Sequence, residues 1–346
     1  MATNVLNSLN AALHKMLSED SRVVVLGEDL LDPYGGAFKI TKGLSTKFPD
    51  RVLTMPLSEA GFTALAAGMA IRGLRPVVEI MFGDFLMLAA DQIVNHIGKY
   101  RWMYNDKVRV PLVIRTPMGG RRGYGPTHSQ TLEKHFIGAP GWHVVAPSPF
   151  HEPGTLLRRA VLEDDDPVLF IENKAMYARL VREAPADGRL GDFHARTTAG
   201  SYPTVTLSFD SFSRADVTLV AYGGMAELVE TAAEQLLMRE EIFCELVVPS
   251  SLSPINLEPI LESLRRTGKL VVCEEGTQTA GWGAELIAAV SARAFELLQA
   301  APLRVAAKDL PIANTSTLET AILPQLEDIT QAVLRVCSNN RRVMTR

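Results

Sequence analysis

The stretch Arg22-Val-Val-Val-Leu26 decides the fold class, because it is a short β-branched run of the kind that forms a buried strand. Similar runs alternate with helix-like stretches along the first half of the chain. The runs lie at 76–81, 110–115, 142–146 and 167–172, and the helix-like stretches lie at 61–72, 85–100 and 152–163. Such alternation predicts an α/β fold, in which helices cover both faces of a parallel sheet.

The alternation stops in a segment rich in glycine, proline and charge, and resumes after it. Residues 182–202 include Pro185, Gly188 and Gly191 and show no sustained period, which favours a linker or a long surface excursion. Strand-like runs at 217–221, 244–249 and 270–273 then alternate with helix-like stretches at 225–239, 255–266, 283–298 and 326–336. We therefore predict two parallel-sheet domains, at 1–182 and 207–346, joined by a linker at 183–206.

Length and composition exclude several classes of protein. A chain of 346 residues with 47% hydrophobic and 21% charged residues is typical of a soluble protein with two domains. The net charge of −4 gives no basic excess for a nucleic acid. Three scattered cysteines without a CxxC pair favour a reducing compartment, so we expect a cytoplasmic protein. No apolar run is long enough to span a membrane, and residues 1–17 have the leucine spacing of an amphipathic helix rather than a signal peptide.

Glu59 is the first candidate for chemistry, in the stretch Met55-Pro-Leu-Ser-Glu-Ala-Gly-Phe62. Ser58 is a plausible N-cap, which places Glu59 in the first turn of a helix among apolar neighbours. One interpretation is a carboxylate that complements the helix dipole. The other is a buried acid that stays protonated and donates a hydrogen bond to a ring nitrogen. Composition does not decide between them.

The second candidate is His128, in the loop Gly119-Gly-Arg-Arg-Gly-Tyr-Gly-Pro-Thr-His-Ser-Gln130. Four glycines allow the backbone conformations and the close ligand approach that other residues forbid. A histidine at the end of such a loop can exchange protons with a ligand. A mobile surface loop with an ordinary histidine explains the pattern equally well.

Two further segments and several absences complete the survey. Residues 276–283 resemble a dinucleotide-binding turn but lack the GxGxxG spacing, so a packed turn is the better interpretation. The acidic run at 163–166 is either a solvated loop or part of a cation site. The sequence has no GxxxxGK[ST] loop, no HExxH motif and no GxSxG elbow.

Several stretches, in order along nearly the whole chain, resemble one family. The sequence is similar to the beta subunits of two-chain, thiamine-diphosphate-dependent 2-oxo-acid dehydrogenases, which include the pyruvate, branched-chain and acetoin enzymes. The resemblance implies a pyrimidine-binding domain of thiamine enzymes followed by a domain like the C-terminal domain of transketolase. The matching stretches are Gly27-Glu-Asp29, Gly35-Gly-Ala-Phe-Lys-Ile-Thr-Lys-Gly-Leu44, Pro56-Leu-Ser-Glu-Ala-Gly-Phe62, Gly73-Leu-Arg-Pro76, Asp91-Gln92, Thr127-His-Ser-Gln130, Val144-Val-Ala-Pro147, Glu172-Asn173 and Glu274-Glu-Gly276.

The resemblance also implies roles for individual residues. Glu59 corresponds to the glutamate that hydrogen-bonds the pyrimidine ring and activates the cofactor, and Glu28 would lie near it and share its proton. Leu57 would present its backbone to the ring, and Phe85 would pack against it. His128 corresponds to the histidine that exchanges protons with the substrate-derived intermediate or the acceptor. A structural potassium ion would be held by a further set of residues, namely Leu112, Ala160, Asp164 and Asp166.

One motif of thiamine enzymes is missing from this sequence. These enzymes hold magnesium and the diphosphate with a Gly-Asp-Gly motif, whereas here Gly83-Asp84 is followed by Phe85. Mg²⁺ needs oxygen ligands in octahedral geometry, so another chain has to supply them. We therefore expect an alpha subunit that carries the Gly-Asp-Gly motif, in an α2β2 heterotetramer, and expect this chain alone to be inactive.

Three functions remain open on the sequence alone. The first is oxidative decarboxylation of a 2-oxo acid, with transfer of the acyl group to the lipoyl arm of a separate acyltransferase. The second is a split transketolase-type enzyme that moves a two-carbon unit, because Gly125-Pro-Thr-His128 is similar to transketolase loops. The third is a non-catalytic assembly subunit, against which the presence of Glu59, Phe85 and His128 argues. The acceptor of the transferred group distinguishes the first two.

Overall fold

The computed structural model describes residues 3–183, 188–209 and 215–338. The chain forms two compact units, with the main division between Val181 and Arg182. The first unit contains residues up to Gly119 together with Thr127–Pro147 and Glu152–Val181. The second unit contains Gly120–Pro126, Ser148–His151 and the residues from Arg182 onward.

The first unit is built on a parallel sheet. Among its described residues, six strands, most of them buried, pair side by side in the order β5-β6-β4-β3-β1-β2, and every pairing is parallel. Strands buried on both faces explain the continuous β-branched runs that predicted them. Their bounds are β1 (Val23–Gly27), β2 (Val52–Thr54), β3 (Arg75–Glu79), β4 (Val113–Met118), β5 (His143–Val145) and β6 (Val168–Asn173).

Helices of the first unit pack along this sheet. The N-terminal helix buries Leu9, Leu13 and Leu17, as their spacing predicts, and its N-cap Asn4 accepts a hydrogen bond from the backbone of Asn7. The bounds are α1 (Val5–Glu19), α2 (Leu44–Lys47), α3 (Glu59–Ile71), α4 (Gly98–Met103) and α5 (Pro153–Leu162).

The expected helix at 85–100 is wrong as a single helix. The segment forms a 3-10 turn at Gly83–Ala89, a π-helical turn at Gln92–Ile97 and only then α4. Gly98 explains the tight packing at the last junction, because a Cβ atom there would overlap the backbone oxygen of Pro140.

The second unit contains a mixed sheet in which four strands are parallel, as predicted, and three further strands are antiparallel. Among the described residues its strand order is β14-β13-β10-β11-β9-β8-β7. The pairings from β14 to β11 are parallel, whereas β9, β8 and β7 join antiparallel. The bounds are β7 (Arg189–Leu190), β8 (Phe193–Thr197), β9 (Thr204–Phe209), β10 (Val217–Ala221), β11 (Cys244–Pro249), β13 (Leu270–Thr277) and β14 (Leu303–Ala307). A further short strand, β12 (Ser251–Ser253), is not part of this order.

Strands β7 and β8 and the start of β9 lie inside the predicted linker at 183–206, so the linker prediction is wrong for them. Phe193 and Phe209 are buried and face each other across β8 and β9, with ring centroids 4.5 Å apart. Their burial makes the segment part of the hydrophobic core of the second unit. Residues 184–187, also in the predicted linker, lie outside the described part of the chain.

Among the described residues of the second unit, four α-helices lie close to the predicted stretches, and the helix Ser316–Ile322 was not predicted. The bounds are α6 (Met225–Glu240), α7 (Glu258–Thr267), α8 (Trp282–Ala294), α9 (Ser316–Ile322) and α10 (Leu326–Ser338). In the described part of the chain, no helix combines the length and hydropathy needed to cross a membrane.

Candidate active site

Glu59 is the first residue of α3, and its side chain is buried although it carries a carboxyl group. It is 6% exposed, and Phe62 and Thr63, one turn further along α3, are buried with it. Ser58 holds the N-cap position but makes no capping hydrogen bond with its side chain. Backbone N–H groups at the start of α3 therefore lie beside a buried acid. A surface carboxylate that only complemented the helix dipole would instead be exposed to solvent.

Glu28 shares this environment from a separate element. It directly follows the sheet strand β1, is 5% exposed, and its Oε1 atom accepts no hydrogen bond among the described residues. Burial raises the pKa of Glu28 to about 7, and the negative charges of Glu59 and Asp29 add to the effect. The structure thus brings Glu28 and Glu59 within electrostatic reach of each other, and two such carboxyls favour sharing one proton.

Phe85 and His128 also come together. Their ring centroids are 5.4 Å apart in an edge-to-face arrangement, and both rings pack edge-on against Phe82, at 5.8 and 4.6 Å. Both side chains are half-buried, so the aromatic cluster is accessible to a ligand. The Thr127 hydroxyl lies 2.9 Å from His128 Nδ1, which orients the imidazole.

Two elements fix these rings relative to α3. The 3-10 turn Gly83–Ala89, which carries Phe85, packs against α3, whose first residue is Glu59. The loop before His128 is closed at its base by a hydrogen bond from the backbone N–H of Gly119 to the carbonyl oxygen of Gln130. Phe85, His128 and the two carboxyls therefore belong to the same compact unit.

Leu57 lies just before α3, and its side chain is 86% exposed. The side chain takes no part in the core, so any contribution to a site comes from the backbone or from contact with a ligand or another chain. Its role toward a pyrimidine ring stays a prediction.

The residues predicted to hold potassium do not fit that ion through their side chains. Asp164 accepts from His143 Nδ1 at 2.7 Å and from the backbone of Asp166 at 3.1 Å, and the Asp164 contact raises the pKa of His143. Both carboxylate oxygens of Asp166 lie 2.6 Å from Arg101 Nη1. The carbonyl oxygen of Leu112 accepts the backbone N–H of Val168.

A side-chain cation already lies beside this acidic loop. The Arg75 guanidinium donates to the carbonyl oxygens of Val161 and Asp164 at 3.0 and 2.7 Å. Ala160 lies in the last turns of α5 and is buried. Within the described ranges, no group of three or more His, Cys, Asp or Glu side chains could hold a metal ion.

The turn at 276–283 is closed by a carboxylate of the chain itself. The fully buried Glu274 accepts the backbone N–H of Gly283 at 3.1 Å and a hydrogen bond from Arg304 at 2.9 Å. The N-terminus of α8 thus meets a glutamate where a dinucleotide-binding turn would present its amides to phosphate. The prediction of a packed turn agrees with this geometry.

Sequence reasoning missed a buried charge network at the carboxyl ends of the strands in the first unit. Arg115 on β4 contacts Glu79 on β3 and forms two hydrogen bonds, of 2.8 and 2.5 Å, with Glu172 on β6. The Tyr177 hydroxyl donates to Glu172 at 2.7 Å. The available signal was the occurrence of charged residues within otherwise apolar strand runs.

Comparisons with known proteins place the chain in a class and then in a family. Residues 2–179 match the family described as Transketolase, pyrimidine binding domain, and residues 212–329 match Transketolase, C-terminal domain. The chain therefore belongs to the class of proteins that combine these two domains. A solved structure described as a split gene transketolase, an inactive beta4 tetramer, has the same fold, with a TM-score of 0.71 at 23% identity over 97% of this chain and 98% of that chain.

The sequence relatives are more specific. The chain is 37% identical to the mitochondrial pyruvate dehydrogenase E1 component subunit beta-1 of Oryza sativa subsp. japonica, over 96% of this chain and 86% of the relative. It is 35% identical to the pyruvate dehydrogenase E1 component subunit beta of Rickettsia bellii, over 97% of this chain and 99% of the relative. The chain therefore belongs to the family of the pyruvate dehydrogenase E1 component beta subunits.

Proposed function

We propose that the chain is the beta subunit of a thiamine-diphosphate-dependent 2-oxo-acid dehydrogenase and supplies the acid–base half of its active site. The observation that carries the proposal is the buried pair of Glu28 and Glu59 in the same compact unit as Phe85 and His128. Membership of the E1 beta family supports it.

The residues present fit the pyrimidine half of thiamine diphosphate. Glu28 has a buried oxygen without a partner among the described residues, Glu59 is a buried acid at a helix start, and Phe85 offers a ring for packing. These three residues, with the backbone of Leu57, would hold the aminopyrimidine. When bound, the cofactor supplies the carbanion-stabilising chemistry that decarboxylation of a 2-oxo acid requires.

The carboxyl pair holds and moves a proton near neutral pH. Because the pKa of Glu28 is raised to about 7, Glu28 can take up and release a proton at the working pH. Its proximity to Glu59 favours one shared proton over two negative charges. The proton held by Glu28 lies within electrostatic reach of Glu59, the buried acid proposed to meet the pyrimidine ring.

His128 is proposed as the second acid–base group, on the substrate side. Its imidazole is half-buried, is oriented by Thr127 and packs against Phe82 and Phe85. A group placed in this way can reach a substrate and exchange a proton with it.

We further propose that a separate alpha subunit binds the diphosphate and magnesium, in an α2β2 heterotetramer. The absence of a Gly-Asp-Gly motif from this sequence supports the proposal. A lipoyl-bearing acyltransferase is proposed as the acceptor of the acyl group. Neither magnesium nor potassium is assigned to side chains of this subunit.

The acceptor of the transferred group distinguishes the dehydrogenase from a split transketolase-type enzyme. The second enzyme remains the alternative because the Gly125-Pro-Thr-His128 motif is similar to transketolase loops. The chain, assembled with its alpha subunit, should oxidise a 2-oxo acid with a lipoyl domain or with an artificial oxidant. Transfer of a two-carbon unit to an aldose, with no turnover on lipoyl domain or oxidant, would contradict the proposal. The assembled Glu59→Gln variant is the control for background turnover.

A cytoplasmic location is proposed as well. All three cysteines, Cys244, Cys273 and Cys337, are free thiols, which is typical of a reducing compartment. Cell fractionation with detection of the chain tests the location, and recovery in an organelle or an extracytoplasmic fraction would contradict it.

A further inference from the structure

An arginine side chain meets the end of α5, beside the residues to which the family resemblance assigns a potassium ion. Arg75 is the first residue of β3 and is 9% exposed. Its Nη1 atom donates to the carbonyl oxygens of Val161 and Asp164, at 3.0 and 2.7 Å. Carbonyl oxygens at the end of a helix favour a positive charge, and here a guanidinium supplies that charge.

The carboxylates of the acidic loop, residues 163–166, also contact cationic side chains. Arg75 Nη2 lies 3.0 Å from one oxygen of Asp165, and Arg109 Nη1 lies 3.6 Å from the other. The aspartates on either side contact His143 and Arg101, at 2.7 and 2.6 Å. Side chains of the chain itself therefore balance the negative charge of the loop, which is the role that a bound cation would otherwise have.

Three of the four residues predicted to bind potassium have partners within the chain. The carbonyl oxygen of Leu112 accepts the backbone N–H of Val168 at 3.0 Å. The carbonyl oxygen of Asp164 accepts from Arg75, and the carboxylate of Asp166 accepts from Arg101. A potassium ion beside the Asp164 carbonyl would have to share that oxygen with a guanidinium, which is always protonated and repels another cation.

We propose that Arg75 takes the place of the structural potassium ion in this chain, so that a guanidinium joins the end of α5 to the acidic loop without a metal ion. The inference does not depend on the reaction proposed above. It competes directly with the potassium site that the family resemblance implies, and a comparison of salts distinguishes the two.

The first experiment compares the Tm of the full-length chain in potassium chloride and in tetramethylammonium chloride. Both salts are used at the same ionic strength, about 0.1 M, so that screening is equal. Potassium bound at about a hundred times its Kd would raise Tm by about 5 °C, because only the folded state binds it. We expect the two Tm values to agree within about 1 °C, and a Tm at least about 3 °C higher in potassium chloride would overturn the inference.

The Arg75→Met variant removes the guanidinium and keeps an unbranched apolar side chain. In tetramethylammonium chloride its Tm should fall by about 5 °C, because the carbonyl oxygens of Val161 and Asp164 lose their charged donor. Potassium chloride should restore about half of that loss, since an ion can then bind the same oxygens. A variant as stable as the wild type, or equally unstable in both salts, would overturn the inference.

Arg51→Met is the matched control. Arg51 donates to the carbonyl oxygens of Leu17 and Asp20 at the end of α1, at 2.5 and 3.0 Å, in the same manner as Arg75 at the end of α5. The Tm of Arg51→Met should fall equally in both salts. A restoration by potassium in Arg51→Met as large as in Arg75→Met would reveal a general salt effect and would overturn the assignment of Arg75.

A second measurement on the wild type covers the case in which Arg75→Met does not fold. Mass spectrometry gives the rate of backbone hydrogen exchange in peptides that span residues 159–167. The rates should be equal in the two salts, because Arg75 already holds this segment. Exchange about tenfold slower in potassium chloride, confined to these peptides, would reveal a bound ion and would overturn the inference.

Discussion

At the scale of single residues, the pairing of Glu28 with Glu59 distinguishes this site from a surface cluster of acids. One carboxyl follows a central strand and the other begins a helix, and both are buried. Burial and like charge both disfavour double ionisation, so the pair keeps a proton at a pH where isolated glutamates have lost theirs.

The raised pKa of Glu28 predicts a specific dependence of stability on pH. Its folded pKa of about 7 lies above the ordinary value of 4.5, so the folded state retains a proton that the unfolded chain releases. Stability linked to Glu28 is present below pH 4.5 and is lost as the pH rises toward 7. Glu28→Gln should therefore raise Tm relative to the wild type by an amount that grows between about pH 5 and pH 8.

Differential scanning fluorimetry of wild type and Glu28→Gln over this range gives the measurement. Glu240→Gln, at an exposed position, is the matched control and should show no such trend. A Tm difference between Glu28→Gln and wild type that stays constant across the range would contradict the shift.

His128 leads to a prediction about turnover rather than cofactor binding. Loss of a positioned acid–base group should lower kcat about a hundredfold in His128→Ala, with little change in the affinity for thiamine diphosphate. Steady-state kinetics and calorimetry on the assembled enzyme measure both quantities. His96→Ala is the control, and unchanged kcat in His128→Ala would argue against the role.

The sequence motifs identified Glu59 and His128, and the family resemblance predicted that Glu28 lies near Glu59. The residues alone did not predict that pairing, because Glu28 and Glu59 lie on separate elements. The fully buried Lys174, directly after β6, gave no motif at all, since a buried charge is recognisable only once its surroundings are known. The potassium site stays a prediction, and side chains of the same chain, His143 and Arg101, already engage the carboxylates of Asp164 and Asp166.

At the scale of elements, the antiparallel strands β7 to β9 extend the second sheet. Glycines and prolines at 183–206 suggested a linker, but Phe-His-Ala-Arg-Thr at β8 alternates buried and more exposed residues with the period of a strand that buries one face. The parallel strands were easier to predict because both of their faces are buried. The segment at 85–100 has an apolar pattern suited to one helix, and that pattern does not indicate the π-helical turn at Gln92–Ile97.

A core substitution in β8 tests this description. Phe193 is 1% exposed and packs against Phe209, so Phe193→Ala should lower the free energy of unfolding by about 3–5 kcal/mol. Phe295→Ala is the matched control, because Phe295 is 69% exposed and should cost less than about 0.5 kcal/mol. Urea unfolding measures the free energy of unfolding of both variants. Equally small losses in Phe193→Ala and Phe295→Ala would mean that β8 is not part of the core.

At the scale of the whole molecule, the proposed function assigns one half of a cofactor site to this chain. The acid–base residues are present, but no Gly-Asp-Gly motif is available to hold magnesium and the diphosphate. Isothermal titration calorimetry should therefore detect no binding of thiamine diphosphate by the isolated chain, even with Mg²⁺, and clear binding after assembly with the alpha subunit. Micromolar binding by the isolated chain would contradict the half-site.

The most direct test is hydrogen–deuterium exchange at C2 of thiamine diphosphate bound to the assembled enzyme, compared between wild type and Glu59→Gln. If the buried carboxyl at position 59 activates the cofactor, exchange in the variant should be at least about a hundredfold slower, with assembly and cofactor affinity retained. Exchange at the wild-type rate in a correctly assembled Glu59→Gln enzyme would contradict the account.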